Sequence, residues 1–172
     1  MTCSYGHDSL QERCHCADVR LALITSSRAS WPTSRTITVG DDGSAYTEIR
    51  VDGHRITMTA RPTIADADPA MAERAVANLV HNALRHGHEP GAPAQILVDV
   101  APRDTRALVT VTDTGPGLRP PIAETGLGLA LVRWIAKVHD GSLLLDTSTE
   151  PGTRIRLVLN IATAQGASRR TR

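Results

Sequence analysis

The feature that most constrains this chain is a pair of glycine clusters separated by a short proline-rich join. They form the sequence T-D-T-G-P-G-L-R-P-P-I-A-E-T-G-L-G-L-A-L at residues 112–131. A strand-like alternating run, A-L-V-T-V-T, leads into the first cluster, and a helical pattern follows the second. Glycine lets a backbone come close to a ligand, and the free N–H groups at a helix start attract anions. The pattern therefore predicts a phosphate or nucleotide site between a strand and a helix.

Composition restricts the kind of protein further. With 172 residues and 41% hydrophobic content, the chain predicts one domain with a real core. Its net charge of +1, from 19 basic and 18 acidic residues, gives no general attraction to nucleic acid or anionic lipid. The longest apolar runs are far shorter than the roughly 20 residues of a membrane span, and the start lacks a signal-peptide pattern. We expect a cytoplasmic chain with no nucleic-acid partner and no membrane insertion.

The N-terminal stretch holds all three cysteines, Cys3, Cys14 and Cys16. An odd number of cysteines does not predict a disulfide framework. The C-H-C run at 14–16 is compatible with metal binding, but a structural zinc site needs four ligands and no second cluster follows, so an exposed tail is the favoured interpretation. We predict a poorly ordered leader over 1–35, with a short helix near A-D-V-R-L-A-L-I, a domain over 36–160, and a disordered basic tail over 161–172.

Within the predicted domain, strand-like and helix-like patterns alternate. R-T-I-T-V, Y-T-E-I-R-V and H-R-I-T-M-T-A predict antiparallel strands with hairpin turns at D-D-G-S and V-D-G-H. Later strands are predicted at Q-I-L-V-D-V and A-L-V-T-V-T, separated by P-R-D-T-R, and at S-L-L-L-D-T and T-R-I-R-L-V-L, joined by T-E-P-G. A helix running from the second glycine cluster through H-D and ended by Gly141 is also expected.

The other predicted helix begins with Asp68 as its N-cap and Pro69 at its first position, and Gly87 is its expected stop. Its apolar stripe consists of Met71, Ala75, Val76, Leu79, Val80 and Ala83. Its polar residues at i, i+4, i+7 and i+8 are Asn78, Asn82, Arg85 and His86. Four polar side chains are thus predicted to line one face.

Three common phosphate sites are excluded by the residues present. A Walker A loop needs Gly-Lys-Ser/Thr, but the only lysine is Lys137, in mid-helix after an alanine. A dinucleotide fingerprint needs a third glycine that both clusters lack. A protein-kinase glycine loop would need a β3 lysine and an H-R-D motif, which are absent from the sequence.

With those three classes of phosphate site excluded, four motifs have to be explained together. They are N-L-V-H-N-A-L-R-H on a predicted helix, D-T-G-P-G after a predicted strand, T-G-L-G-L at the start of a predicted helix, and Gly152-Thr153 late in the chain. In that order, over residues of about 45–160, these resemble the N, G1, G2 and G3 boxes of the GHKL superfamily. Within that superfamily, the four motifs most resemble those of the catalytic ATP-binding domain of two-component sensor histidine kinases. The resemblance implies the Bergerat-type ATP-binding fold, an α/β (α+β) two-layer sandwich with a mixed, mostly antiparallel sheet and helices on one face.

The resemblance implies roles for individual residues. Asn82 would hold Mg²⁺, since Mg²⁺ prefers oxygen ligands, and Arg85 would contact the phosphates. His86 would stack on adenine, while Asp113 would accept a hydrogen bond from the adenine amino group. Asn78, Asn82 and Arg85 are the implied catalytic residues. The remaining ATP-binding positions that it implies are Gly115, Gly117, Leu118, Thr125, Gly126, Leu127, Gly128, Leu129 and Thr153.

Residue 78 bears on the reaction. ATP-hydrolysing relatives and anti-sigma serine kinases characteristically carry glutamate there, because water or serine benefits from a general base. This chain has Asn78, and a neutral imidazole acceptor already offers a lone pair. The pattern therefore favours transfer to histidine over a serine kinase or an ATPase.

None of the seven histidines stands in an H-E-L-R-x-P-L-like context; the nearest, at His7, lacks the proline. The resemblance then implies a histidine-bearing dimerisation protein as a separate partner, with a response regulator downstream. The alternative is a nucleotide-binding regulatory module or a catalytically impaired one. It is favoured by the short join at 118–124, by Glu124 where a glycine often stands, and by the absence of phenylalanine.

Overall fold

A computed structural model describes residues 38–117, 126–146 and 152–161. The predicted leader, the join at 118–124 and residues 162–172 lie outside these ranges, so the predictions for them, the domain bounds included, stay predictions. Within the described ranges the strands and helices, in chain order, are β1 (Thr38–Val39), β2 (Ala45–Val51), β3 (His54–Ala60), α1 (Pro69–His86), β4 (Gln95–Arg103), β5 (Arg106–Asp113), α2 (Gly126–Val138), β6 (Ser142–Asp146) and β7 (Thr153–Asn160).

The strands form one seven-stranded sheet in the order β1-β2-β3-β4-β5-β7-β6. Only β3 and β4, which α1 connects, run parallel, and the other neighbouring pairs are antiparallel. This agrees with a parallel pair needing a long crossover and an antiparallel pair needing only a turn. The predicted mixed, mostly antiparallel sheet is confirmed.

The turn chemistry is confirmed at V-D-G-H. Asp52 and Gly53 both have positive φ, 48° and 83°, as a two-residue type I′ hairpin turn requires. The predicted five-residue separation at P-R-D-T-R is wrong. The ladder continues to the Arg103–Arg106 pair, so only Asp104 and Thr105 form the turn, and Asp104 takes the positive φ of 52°.

The start of α1 confirms the predicted cap. Asp68 accepts a hydrogen bond from the Met71 N–H through Oδ1 at 2.9 Å, and Pro69 is the first helical residue. The buried stripe differs from the prediction in one turn: Ala72 is buried and Met71 is only half-buried. Met71 still packs against the core, and the rest of the predicted stripe is buried as expected.

The end of α2 corrects a second prediction, because the helix stops at Val138 and does not include His139 and Asp140. Asp140 has the left-handed φ of 51°, and the Gly141 N–H bonds to the Ala136 carbonyl at 2.8 Å. This is the Schellman pattern with aspartate in the usual glycine position. Gly141 is needed for space instead, since a Cβ there would lie 2.2 Å from the Val158 carbonyl oxygen.

One hydrophobic core lies between the helices and the sheet. Alternate residues of each central strand are buried toward α1 and α2, as in Ile56, Val98, Val111 and Leu157. The two helices also pack against each other. This is a two-layer sandwich with the helices on one face, as predicted. Neither described helix is long and apolar enough to cross a membrane.

A histidine connects the end of α2 to the start of α1. The His139 Nδ1 lies 2.8 Å from the Ile135 carbonyl oxygen, and its Nε2 lies 3.0 Å from the Asp68 nitrogen. Since a carbonyl only accepts and an N–H only donates, the ring carries its proton on Nδ1. The N-cap of α1 is therefore held by a residue that directly follows α2.

We expect His139→Ala to lower the free energy of unfolding by about 1 kcal/mol, the usual contribution of a hydrogen bond that water can partly replace. Urea unfolding measures this. His81→Ala, on the exposed side of α1, is the matched control and should stay within about 0.5 kcal/mol of the parent. Equal unfolding curves for His139→Ala and the parent would contradict the proposed connection.

Candidate nucleotide-binding site

The centre of the site is the carboxyl group of Asp113, the last residue of β5, which is only 6% exposed. Its Oδ1 accepts two main-chain hydrogen bonds, from the Gly115 N–H at 3.0 Å and from the Thr153 N–H at 3.1 Å. Among the described residues no donor contacts Oδ2. That oxygen keeps its capacity to accept a hydrogen bond from a ligand.

Burial raises the pKa of Asp113 above its ordinary value of 3.8, and the hydrogen bonds from Gly115 and Thr153 lower it again in part. The net direction is upward because a charge removed from water is costly. A buried carboxyl group with a perturbed pKa and an unused acceptor marks a candidate recognition site. At Asp113 the unused oxygen, Oδ2, is suited to accept a hydrogen bond from a neutral N–H donor of a ligand.

The backbone segments around Asp113 come so close to it and to one another that a side chain would not fit at three glycine positions. A Cβ at Gly87 would lie 2.5 Å from the Asp113 Cβ, and one at Gly115 would lie 2.4 Å from the Gly87 carbonyl carbon. A Cβ at Gly152, which has a φ of 125°, would lie 2.1 Å from the Asp113 carbonyl oxygen. The end of α1, the end of β5 and the start of β7 therefore meet at this aspartate.

The first turn of α2 forms the second part of the site. Because the helix begins at Gly126, the N–H groups of Gly126, Leu127, Gly128 and Leu129 have no partner within the helix. Leu129 is buried in the core and anchors the turn, while the Leu127 side chain is 92% exposed. Such a helix start attracts an anion such as a phosphate.

Asn78 faces this turn from α1. Its Nδ2 donates to the Arg74 carbonyl at 2.7 Å, so Oδ1 points away from the helix backbone. A Cβ at Gly128 would lie 3.3 Å from that Oδ1, so the glycine lets the two helices approach closely. An amide oxygen is thereby held beside the first turn of α2.

Helix α1 connects the two parts of the site. Asn78 lies beside α2, and Gly87, nine residues later, touches Asp113. At 1.5 Å per residue these ends are about 13 Å apart, a span comparable with an extended nucleoside triphosphate. Asn82 is half-buried between them, and Arg85 and His86 are exposed in the last turn.

The structure thus brings together several residues that the sequence singled out. Asp113, Gly115 and Thr153 are joined by hydrogen bonds, and a Cβ at Gly117, which has a φ of 79°, would lie 3.2 Å from the Gly152 carbonyl oxygen. No contact joins Asn82, Arg85 or His86 to Asp113 among the described residues. Leu118 and Thr125 lie outside them.

One residue of the site was assigned a different role by sequence reasoning. Gly87 was predicted only as the stop of α1, yet it packs against Asp113 and Gly115. A glycine after a helix is usually explained by a left-handed φ. The sequence therefore offered no signal for its second role.

Comparison with known proteins agrees with this geometry. Residues 67–163, more than half of the chain, match the family of histidine kinase-, DNA gyrase B- and HSP90-like ATPases. The chain belongs to this ATPase family. The match begins just before α1 and ends after β7, so it includes every described part of the site.

The curated relatives that the chain matches include a sensor protein and a signal transduction histidine kinase. The chain is 31% identical over 119 residues to the sensor protein KdpD of Escherichia coli, covering 59% of this chain and 13% of that protein. It is 30% identical over 110 residues to the histidine kinase AfsQ2 of Streptomyces coelicolor, covering 54% of this chain and 20% of that protein. The chain therefore spans a fifth or less of the length of these two relatives.

Solved structures show the same fold. The histidine kinase AdeS of Acinetobacter baumannii matches with a TM-score of 0.54 and 19% identity, over 63% of this chain and 54% of that one. The blue-light-activated histidine kinase EL346 of Erythrobacter litoralis also gives 0.54 and 19%, over 64% and 36%. The fold of the ATPase family is thus shown independently of close sequence similarity.

We expect Asp113→Asn to be at least as stable as the parent at neutral pH. The amide oxygen can still accept from Gly115 and Thr153, and the cost of a buried charge disappears. Because the folded-state pKa of Asp113 is raised, the parent gains stability as pH falls through that pKa, and the advantage of Asn vanishes below about 3.8. Melting temperatures between pH 4 and 8 measure this.

Asp42→Asn serves as a control of opposite sign. The hydrogen bonds from Ser44 lower the pKa of Asp42, so its charge stabilises the fold above that pKa and the contribution is lost in acid. The Asp42 variant should thus be slightly less stable at neutral pH. An advantage of Asp113→Asn that stays constant or grows toward pH 4 would contradict the assignment of the buried charge.

Proposed function

We propose that this chain is the ATP-binding catalytic component of a two-component histidine kinase, and that it transfers the γ-phosphoryl group to a histidine on a separate partner chain. The observation that carries the proposal is the arrangement around Asp113. A carboxyl oxygen available to a neutral donor lies against Gly87 of α1, and a helix start suited to phosphates lies against Asn78 of the same helix, about 13 Å away along its axis. Membership of the ATPase family supports ATP as the ligand.

In this proposal Asp113 recognises the base. The 6-amino group of adenine donates to Oδ2, while Gly115 and Thr153 hold Oδ1 in place. The free N–H groups of the first turn of α2 receive the phosphates. His86 stacks on the base, and Arg85 supplies positive charge toward the phosphate tail.

The reacting end needs oxygen donors for Mg²⁺, which commonly uses few protein ligands together with substrate phosphates. Asn82 supplies an amide oxygen on the polar face of α1, and Asn78 presents a second one near Gly128. When bound, Mg²⁺ neutralises phosphate charge during in-line transfer. The chain itself positions the phosphates and stabilises their charge, which are the main protein contributions to phosphoryl transfer.

Residue 78 is not a carboxylate, and this favours histidine over water or serine as the acceptor of the phosphoryl group. Water and serine hydroxyls have protons that a general base must take, whereas a neutral imidazole attacks through a free lone pair. The Asn78 amide cannot act as that base, and its Nδ2 is bound to the Arg74 carbonyl. This supports a histidine kinase over a serine kinase or an ATPase.

The partner carries the acceptor histidine in this proposal, because none of the seven histidines of the printed sequence has the context of an acceptor. A dimerisation protein would present that histidine, and a response regulator would receive the phosphoryl group next. A cytoplasmic location, where ATP is available, is part of this proposal.

A regulatory module that binds ATP with little turnover is the second candidate. It is supported by the short join between the glycine clusters and by Glu124 within it. A short segment over the triphosphate would exclude water less well and hold the nucleotide more loosely. Binding that is normal and transfer that is absent with every partner would favour this candidate.

We expect the chain mixed with labelled ATP alone to stay unlabelled, and label to appear on a purified histidine-bearing dimerisation protein from a two-component system when that protein is added. Asn82→Ala should abolish this transfer, while His81→Ala, on the exposed side of the same helix, should keep it. Phosphorylation of this chain in the absence of a partner would contradict transfer between chains.

A binding measurement tests the base contact directly. Because the main-chain donors orient the amide oxygen of Asp113→Asn toward themselves, its NH₂ group faces the base and repels another donor. We expect ATP affinity to fall by about tenfold or more, with a relative gain for inosine triphosphate, which has a 6-oxo group. Unchanged titration of a fluorescent ATP analogue with this variant would refute the site.

The metal contact is separable from the base contact. Asn82→Ala should lose the part of ATP affinity that depends on Mg²⁺ and keep the preference for adenine over inosine. Titrations with and without Mg²⁺ measure both quantities. An Asn82→Ala variant with full Mg²⁺ dependence would exclude Asn82 as a ligand.

A further inference from the structure

Gly87 occupies a backbone conformation that does not require glycine. It follows His86, the last residue of α1, with φ −87° and ψ 30°, and its N–H bonds to the Ala83 carbonyl at 2.8 Å. These dihedral angles are accessible to any L-residue. Conformational freedom therefore does not explain the glycine, in contrast to Gly152 with its φ of 125°.

Space explains it instead. A Cβ at Gly87 would lie 2.5 Å from the Asp113 Cβ, 2.6 Å from its Cγ and 2.5 Å from the Ala83 carbonyl oxygen. The aspartate cannot easily move aside, since it is 6% exposed and its Oδ1 holds two main-chain hydrogen bonds. Even one methyl group would displace its carboxyl group or the end of α1.

The contact is shared with the first glycine cluster. A Cβ at Gly115 would meet Gly87 from the other side, at 2.4 Å from its carbonyl carbon and 2.7 Å from its Cα. Gly115 is also the residue whose N–H holds the Asp113 Oδ1 at 3.0 Å. The Gly87 backbone thus forms one wall against both the carboxylate and the loop that orients it.

We propose that Gly87 is a positioning residue for base recognition, which sets the location of the Asp113 carboxyl group and thereby the preference for a 6-amino purine. This inference rests on the proposed function, because it needs ATP to bind at Asp113. It adds a specificity determinant outside the two glycine clusters, on the helix that also carries Asn78 and Asn82.

The test compares ATP with purine riboside triphosphate, which lacks the 6-amino group. In the full chain, Gly87→Ala should weaken ATP by about 10- to 100-fold, the effect of losing a hydrogen bond to a charged group, and leave the weak binding of the purine analogue nearly unchanged. A purely structural defect would weaken both nucleotides equally. Equal losses, or no loss, would overturn the inference.

Two variants sharpen the interpretation. In an Asp113→Asn background, Gly87→Ala should cause no further loss of ATP affinity, because both changes remove the same contact with the 6-amino group. A further tenfold loss would overturn the inference. The matched control is Gly91→Ala, four residues on, where a Cβ meets nothing within 4 Å although φ is 82°. It carries local strain away from Asp113 and should keep the preference for ATP.

Failure of the proposed function is distinguishable, since the unchanged chain would then show no preference for ATP over the purine analogue. If Gly87→Ala does not fold, Gly87→Ala with Asp113→Gly removes the two carbon atoms of Asp113 that the new methyl group would meet. Recovery of the native circular dichroism spectrum supports the contact with Asp113. Asp113→Gly alone is the reference, because it also loses the hydrogen bonds from Gly115 and Thr153. A double variant that stays unfolded while Asp113→Gly alone folds overturns the inference, because the obstruction then lies elsewhere.

Discussion

The structure depends on one buried acceptor, the Oδ1 of Asp113, which ties the end of β5 to its own following loop and to the start of β7. Burying a carboxyl group is costly unless hydrogen bonds compensate it, and here two main-chain donors do so in part, through one oxygen. Because the same oxygen serves both bonds, the other remains available. A structural requirement and a recognition group are thus combined in one side chain.

The surrounding glycines follow from this arrangement. Three main-chain segments approach a single side chain, and a Cβ on any of Gly87, Gly115 or Gly152 would overlap its neighbours. Close packing of this kind tolerates little change in volume. Close packing therefore fixes the position of the Asp113 carboxyl group at the proposed adenine end of the site. Arg85 and His86, at the same end of α1, are exposed and are not held by such packing.

The two ends of the site are linked through the helices. Asn78 lies against Gly128 of α2, and Gly87 of the same helix α1 lies against Asp113. His139 fixes the N-cap of α1 from the end of α2. A change in the position of α2 would thus reach the amide oxygens of α1 as well as the first turn that is suited to phosphate.

Local patterns were enough for much of the fold. The cap at Asp68 and Pro69, the D-G hairpin at Asp52 and the alternating strands are decided by dihedral preferences and by side chains near in sequence, so they could be predicted residue by residue. The errors lie at element ends, at P-R-D-T-R and at His139 and Asp140, where neighbouring strands and a Schellman turn decide the boundary.

For the site, the amino-acid sequence by itself determined the types and order of the residues: the amides of α1, the aspartate at a strand end, and glycines before a helix. Only the tertiary structure decided that Asp113 gives one oxygen to two N–H groups and keeps the other, and that Gly87 is required for space. The reason is physical, since these contacts join residues up to 40 positions apart. They also depend on differences in interatomic distance of a few tenths of an ångström, which no local sequence pattern encodes.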